Sequence, residues 1–561
     1  MKKRKLLVGS LSILLVSLFS LVGCDNGSTS STTTTTTSTT TTTTTTAGDT
    51  IPDINNDEKY EKARTTYVEN GETKDLNMRT FGDNTKTPTL SSLEEQHVLV
   101  VPFGFTGAYD YVARQTKETI EEIRLTFNGT DEEIAKVNGW MSVSQYYEKS
   151  SFGKSDVTFD VLPTWCIYGG NPEALGGGAN AAIYARTWYV NQYNSEDHGL
   201  LGKDAKPIEY YDADNDGVID LMWLVYSHPE TGNQGDWWAY VTWLPDGQGQ
   251  SGSAPVVATL GWASLDFMTK AYSGYDAHTF VHETGHTFGL SDYYDYNGYW
   301  APLGGIDMMD HNLGDHSAFS KFTLGWLQPW VVDEPGEIVL RPTATTGDCF
   351  IIPSPNYNGT AFDEYFMVEL MAPVGNAQKD YQTGYEGQAG YSQPGIRITH
   401  IDARVYSNDW ETYLVKNPED GVGFRVENSH RGRGGIGIDG DFWPTEQNSS
   451  EGTSFSLISL IDANTPDKNG LNTANYSATN DSLYVENSRF IINDQVNVIS
   501  SKYLPSGTNL WNKAKTITKL TGEKQTYKID ESMTMNINLR VDKITTDDEY
   551  GYKALITINS L

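Results

Sequence analysis

A chain of 561 residues is long enough for two or more domains with sizeable cores. With 73 acidic against 40 basic residues, its formal net charge of −33 repels phosphate backbones, which argues against nucleic acid as a partner, and favours cations, calcium included. Three cysteines are too few for a disulfide framework: Cys24 has its own explanation, and Cys166 and Cys349 either pair or stay as two buried thiols.

Residues 1–5 form a basic start, and residues 6–21 are apolar, interrupted only by Gly and Ser. The run is short for a membrane span and reads as a secretory signal over residues 1–23. Its ending, Leu21-Val22-Gly23-Cys24, resembles the bacterial lipobox. That resemblance implies a lipid on Cys24 that holds the protein to the membrane at the outer side of a bacterial cytoplasmic membrane; the alternative is an uncleaved anchor with an incidental cysteine. Residues 27–48 are almost entirely Thr and Ser and bury no apolar surface, so 24–48 reads as a lipidated Cys and a disordered tether.

Residues 49–94 are polar and weakly patterned, a lead-in or a short pro-segment. From 95 to 330 strands and helices are mixed. Residues 98–101 form a buried-strand run, 116–127 have helical spacing through Ile120, Ile123 and Phe127, 157–162 alternate like a strand, and 280–288 read as a helix. From 331 to 561 the pattern is mostly β. Segments 364–370 and 395–401 read as strands, and Met535, Ile537, Leu539 and Val541, then Tyr552, Ala554, Ile556 and Ile558, alternate with polar residues. Turn-rich stretches such as 432–441 separate them. The fold class expected is α+β, with a sandwich-like C-terminal region.

The decisive segment is His282-Glu283-Thr284-Gly285-His286-Thr287-Phe288-Gly289-Leu290-Ser291-Asp292. At ~100° per residue, Ala277, Phe280, Val281, Thr284 and Phe288 share one helix face, and His282 and His286 fall nearly opposite, one above the other. The helix can therefore bury one side while two imidazoles point together into a cleft. Two imidazoles on one face suit zinc, with Glu283 beside them as general base. Gly289 is placed to end the helix and turn the chain back, which lets Asp292 approach as a third ligand and leaves one position open for water; Asp295 is the rival. This constellation implies hydrolysis of peptide bonds in protein or peptide substrates, by a metal-bound water that Glu283 activates. Tyr293 and Tyr294 are the nearby candidates for an oxyanion donor.

The same segment resembles the metalloprotease family of immune inhibitor A, whose motif is HExxHxxGxxD. Residues 142–154, SVSQYYEKSSFGK, are similar to that family's YY…S-(Y/F)-G-K segment, and residues 307–316, DMMDHNLGDH, to the region of its methionine turn. Ser320-Lys321 and Gly325-Trp326 continue the match, which covers about residues 95–330; beyond it, GIRITHID at 395–402 is the best remnant. The resemblance implies a zinc endopeptidase acting on extracellular proteins, with a metzincin-type zincin fold and a methionine floor below the zinc, Met309 by choice and Met308 as the alternative.

A second cation site is offered by Asp212, Asp214, Asp216 and Asp220, whose DxDxDG spacing converges alternate carboxylates on a hard cation such as calcium, while Gly217 permits the sharp turn. Position twelve of that loop is Trp223, so a bidentate ligand is missing. His278, His311, His316 and His400 read as satisfied or surface histidines; His278 points about 80° away from His286. Two other classes stay open: a non-catalytic surface lipoprotein, against which the intact His282, Glu283 and His286 speak, and a carbohydrate-binding surface protein, suggested by the aromatic-rich β half.

Overall fold

The computed structural model describes residues 51–69, 71–76, 90–107, 109–232, 236–244, 250–270, 274–294, 301–354, 357, 359–403, 405–406, 413–414, 457–463, 477–492, 514–518, 524–528 and 537–561. The signal and tether with Cys24, and also Asp295, residues 432–441 and Met535, lie outside them.

The apolar run at 98–101 lies inside a six-stranded sheet built from β1 (Glu95–Phe105), β2 (Asp156–Val161), β3 (Cys166–Tyr168), β4 (Met222–Tyr226), β5 (Tyr240–Trp243) and β6 (Thr259–Ser264). The order is β2–β1–β4–β6–β5, with β3 also pairing β1. Every pairing is parallel except that of β5, which runs antiparallel to β6 at the sheet edge. Parallel strands need cover on both faces, and successive side chains divide between two cores. Val98, Val100, Trp223 and Val225 join one apolar cluster; Leu99, Val101, Met222 and Leu224 join the other. Helices α1 (Lys117–Asn128) and α2 (Val143–Ser150) contribute Ile123, Phe127 and Tyr147 to the first, and α3 (Gly178–Tyr193) contributes Ala181, Ala185 and Tyr189 to the second. Thr116 caps α1 by accepting the Thr119 N–H, and Ser142 with Gln145 forms a capping box on α2.

Helix α4 (His278–Thr287) packs on the first face. Its Phe280 ring lies 5.3 Å from Phe127 and 5.4 Å from Trp223, and Trp223 Nε1 donates to Thr284 Oγ1 at 3.3 Å. Two short helices follow, α5 (Met308–His311) and α6 (Ala318–Thr323).

From residue 330 onward the strands of the two larger sheets are β7 (Trp330–Val331), β8 (Gly336–Leu340), β9 (Cys349–Pro353), β10 (Glu364–Met371), β11 (Gly395–Asp402), β12 (Ile458–Leu460), β13 (Arg489–Ile492), β14 (Ile537–Asp547) and β15 (Gly551–Ile558). They make a five-stranded sheet, β7–β9–β10–β11–β12, and a four-stranded one, β8–β15–β14–β13. A seven-residue helix, α7 (Ala377–Thr383), stands between β10 and β11.

Residues from 51 onward form one compact unit. The change at 330 is a change of sheet and not a break in packing, because the core under α4 continues into Ile351, Phe366, Ile398, Val541 and Ile556. The lead-in belongs to the same core through Tyr60, Ala63, Leu76 and Leu90, and Trp330 Nε1 donates to Asp57 Oδ1 at 2.8 Å. Cys166 and Cys349 are separate buried thiols. No helix among the described residues is long and apolar enough to cross a membrane.

Candidate metal centre

The end of α4 builds the site. Gly289 adopts φ +97°, the left-handed conformation that glycine tolerates best. Its N–H bonds the carbonyl of His286 and the Leu290 N–H bonds that of Gly285, which closes the helix in a Schellman turn. The chain is thereby folded back over the face of α4 that carries His282 and His286. The Leu290 carbonyl then receives His286 Nδ1 at 2.8 Å, and Asp292 is brought against both imidazoles.

Asp292 Oδ1 lies 2.8 Å from His282 Nε2 and 3.3 Å from His286 Nε2, and the two rings stand 4.9 Å apart at 88°. Ligand atoms of a tetrahedral site with bonds of ~2.0 Å are about 3.3 Å apart, so these separations suit one small cation among the three. Tautomers are fixed as well. His282 Nδ1 faces the Met308 carbonyl at 2.7 Å, and His286 Nδ1 faces that of Leu290. A carbonyl only accepts, so each Nδ1 carries the hydrogen and each Nε2 is directed at the carboxylate. Second protons or a cation must stand between such groups; outer hydrogen bonds of this kind are what orient metal-binding histidines. Burial opposes charge on both partners. The imidazoles nonetheless hold Asp292 well below the usual carboxylate range, and Asp292 raises His286 to about 9. The donor set N, N, O therefore fits zinc.

Glu283 sits beside the pair. Burial raises its pKa, and His286 and His282 oppose that rise, with the backbone of Val241 in edge strand β5 adding to the opposition. Below the helix, Met309 is fully buried, and its Sδ lies 2.8 Å from where a Cβ on Gly285 would be. Met308 instead serves through its carbonyl. Tyr147 of the YY pair donates to the Val281 carbonyl at 2.6 Å, and Phe152 and Gly153 both take positive φ to bring Lys154 to the Gly325 carbonyl.

The two tyrosines after Asp292 diverge. Tyr293 is buried with its hydroxyl on Ser320 Oγ at 2.6 Å, so it is turned away from the site; Tyr294 stacks toward His282 with centroids 6.2 Å apart. His316 is buried among Tyr146, Tyr147 and Trp326, and burial pulls its pKa down to about 3. His311 is half-buried, and His400 pairs with Glu364 at 3.0 Å.

In the acidic loop, Asp212, Asp214 and Asp216 present oxygens within 4.8 Å of one another. Asp220 is outside that group, and its Oδ2 accepts the Ala213 N–H at 2.9 Å, so it ties the loop instead of joining the cluster. Asp212 also accepts the N–H groups of Asp216 and Gly217.

Several organising residues have no role assigned from the sequence. Asp307 caps α5 by accepting the Met309 N–H at 2.7 Å and also takes the Ser317 N–H at 2.7 Å. Arg397 of the GIRITHID strand pairs with Glu369 and donates to the Ile306 carbonyl. Only Asp307 had a legible signal, an Asp placed as N-cap before a short helix. No protein-family model matches the chain, and the comparison with curated proteins finds no match.

Proposed function

We propose that this protein is a zinc-dependent endopeptidase of the zincin type with a metzincin-like methionine floor, held outside a bacterial cell by a lipid on Cys24. One observation carries the reading: two histidines one turn apart, their Nδ1 atoms committed to backbone carbonyls, aim both Nε2 atoms at a single buried carboxylate, with Glu283 adjacent. His282, His286 and Asp292 would hold the metal. Bound zinc supplies a Lewis acid that polarises the scissile carbonyl and acidifies a water molecule.

The chain's own groups do the rest. Glu283 takes the proton from the attacking water and passes it to the leaving amine. Burial raises its pKa above the usual carboxylate value, which suits a group that must both accept and return a proton. Beyond β5 no further strand pairs with the sheet among the described residues, so its outer edge offers backbone groups to an extended chain, which favours polypeptide over smaller amides. Tyr294 is the nearer of the two tyrosine donors for the developing oxyanion.

The resemblance to immune inhibitor A-type peptidases supports this reading through the segments quoted above. The C-terminal sheets are read as sandwich-like, since Phe366 of β10 meets Phe490 of β13 at 5.4 Å. Calcium, held by Asp212, Asp214 and Asp216, would stiffen the loop before β4. The test is metal analysis of the purified protein followed by digestion of a peptide library. Zinc near one per chain, with cleavage lost to a chelator and restored by zinc, is expected; a metal-free protein with no cleavage after zinc is added sinks the proposal.

A further inference from the structure

Helix α7 comes from the β-rich half, yet its polar side chains are directed into the half that carries the histidines. Asn376, its N-cap, donates to the Tyr146 carbonyl and to Asp315 Oδ1, both at 3.2 Å. Lys379 donates to the carbonyls of Gly139 and Trp140. Asp380 is fully buried and places both carboxylate oxygens 3.2 Å from His278 Nε2, while its Oδ2 also accepts the Gly314 N–H at 2.6 Å.

His278 is the first residue of α4. It has no exposure, stacks on Trp140 at 3.6 Å, and its Nδ1 lies 2.6 Å from Asp276 Oδ1. With a carboxylate at each ring nitrogen, the imidazole is a doubly bonded cation, and burying such a charge is tolerable only because both partners are present. Just past α7, Tyr385 adds its ring 4.8 Å from His278 and its hydroxyl 3.2 Å from Thr279 Oγ1.

Asp380 thus joins two pieces of backbone: the start of the helix bearing His282 and His286, and Gly314, just beyond the segment whose Met308 carbonyl orients His282. The spacing between those pieces sets whether His282 Nδ1 reaches its acceptor. We infer that Asp380, acting through His278, is a positioning residue for the metal centre, so that the β-rich half braces the zinc site across the 330 boundary. Asp380 touches neither metal ligand nor substrate in this arrangement; its effect is on the direction of His282. The inference rests on the zinc reading above.

The test uses the full chain and its Asp380→Asn variant. Zinc affinity is measured by competition with a chromophoric chelator, the ligand field by the visible spectrum of the cobalt-substituted protein, and turnover by kcat and KM separately. Outer hydrogen-bond partners of metal ligands are typically worth ~10–100-fold in affinity or activity. Asp380 acts one step further out, through His278, so Asp380→Asn should weaken zinc by about tenfold, the lower end of that range, alter the cobalt spectrum, and lower kcat with KM unchanged. Because the variant leaves an imidazolium short of one carboxylate and can fail to fold, a second variant, His278→Phe with Asp276→Asn and Asp380→Leu, removes the cation and both carboxylates together. Wild-type zinc affinity and an unaltered cobalt spectrum in either folded variant overturn the brace, whatever happens to the melting temperature. If the wild-type chain itself takes up no zinc, the metal reading fails and the brace with it; if wild type and variant bind equally, only the brace fails.

Discussion

His282 donates its Nδ1 hydrogen to the Met308 carbonyl across 2.7 Å, and this single bond couples the helix of paired imidazoles to the segment whose next residue, Met309, lies beneath Gly285. It also decides which ring nitrogen is offered to a metal.

Glu283 is adjacent to both imidazoles but is not needed to hold zinc. Glu283→Ala should keep zinc near one per chain while proteolysis falls by ~10²–10⁴-fold, the usual worth of a general base. Metal content and peptide cleavage are read on the same preparation. Full activity in a pure sample is incompatible with the mechanism.

Asp292 is the third ligand in this reading, and Asp295 lies outside the described residues. Asp292→Ala should lose zinc affinity by about 100-fold or more, beyond the ~10–100-fold typical of outer-shell groups, and Asp295→Ala should not. A competition titration on both variants settles it; intact binding in the first and lost binding in the second transfers the role to Asp295.

Calcium should raise the melting temperature, since a ligand at a hundredfold excess over its Kd adds about 2.7 kcal/mol to the folded state. Asp214→Ala with Asp216→Ala should abolish that response and expose the loop at Asp212 to proteolysis. A calcium response that survives the double substitution puts the site elsewhere.

His278 gives stability a pH dependence. Burial lowers its pKa, but Asp380 and Asp276 outweigh burial and raise it to about 9, above the ordinary 6.5. A raised histidine pKa means the folded state holds its proton longer than the unfolded state does. Its contribution is therefore fully present below about pH 6.5 and is lost as pH rises through about 9. Asp276 and Asp380 are the carboxylates facing the ring; Lys379 is next to Asp380 and extends to backbone carbonyls, and Tyr146 and Tyr385 are kept neutral by burial. Thermal melts from pH 6 to 9.5 should show a gap between wild type and Asp380→Asn that narrows as pH increases. A constant gap contradicts a charged His278.

Cys24→Ser should release the protein from membranes or block its processing. Fractionation and N-terminal analysis read this directly, and unchanged retention with a normally processed N-terminus excludes the lipid anchor.

By itself the sequence determined the parts of this protein whose physics is local. Helical periodicity placed Phe280, Val281, Thr284 and Phe288 on one buried face and His282 with His286 on the other, because a helix fixes which side chains share a face whatever surrounds it. Gly289 marked the end of α4 for an equally local reason, the φ it alone adopts without strain. An apolar run marked β1, which a parallel sheet buries on both sides, and alternation marked β14 and β15. Tertiary structure decided what depends on residues distant in the chain. Whether Asp292 meets the imidazoles, that Asp220 ties its loop while Asp212, Asp214 and Asp216 cluster, and that Tyr293 turns to Ser320 all follow from how the backbone returns after a turn. Most of all, the partners of His278 and Met308 are set by packing: Asp380 is 102 residues from His278, and nothing in a short window of sequence marks a buried aspartate as the counter-charge of a histidine on another element. Burial removes water as a partner and forces such groups to find each other, but which of them meet is a property of the assembled core.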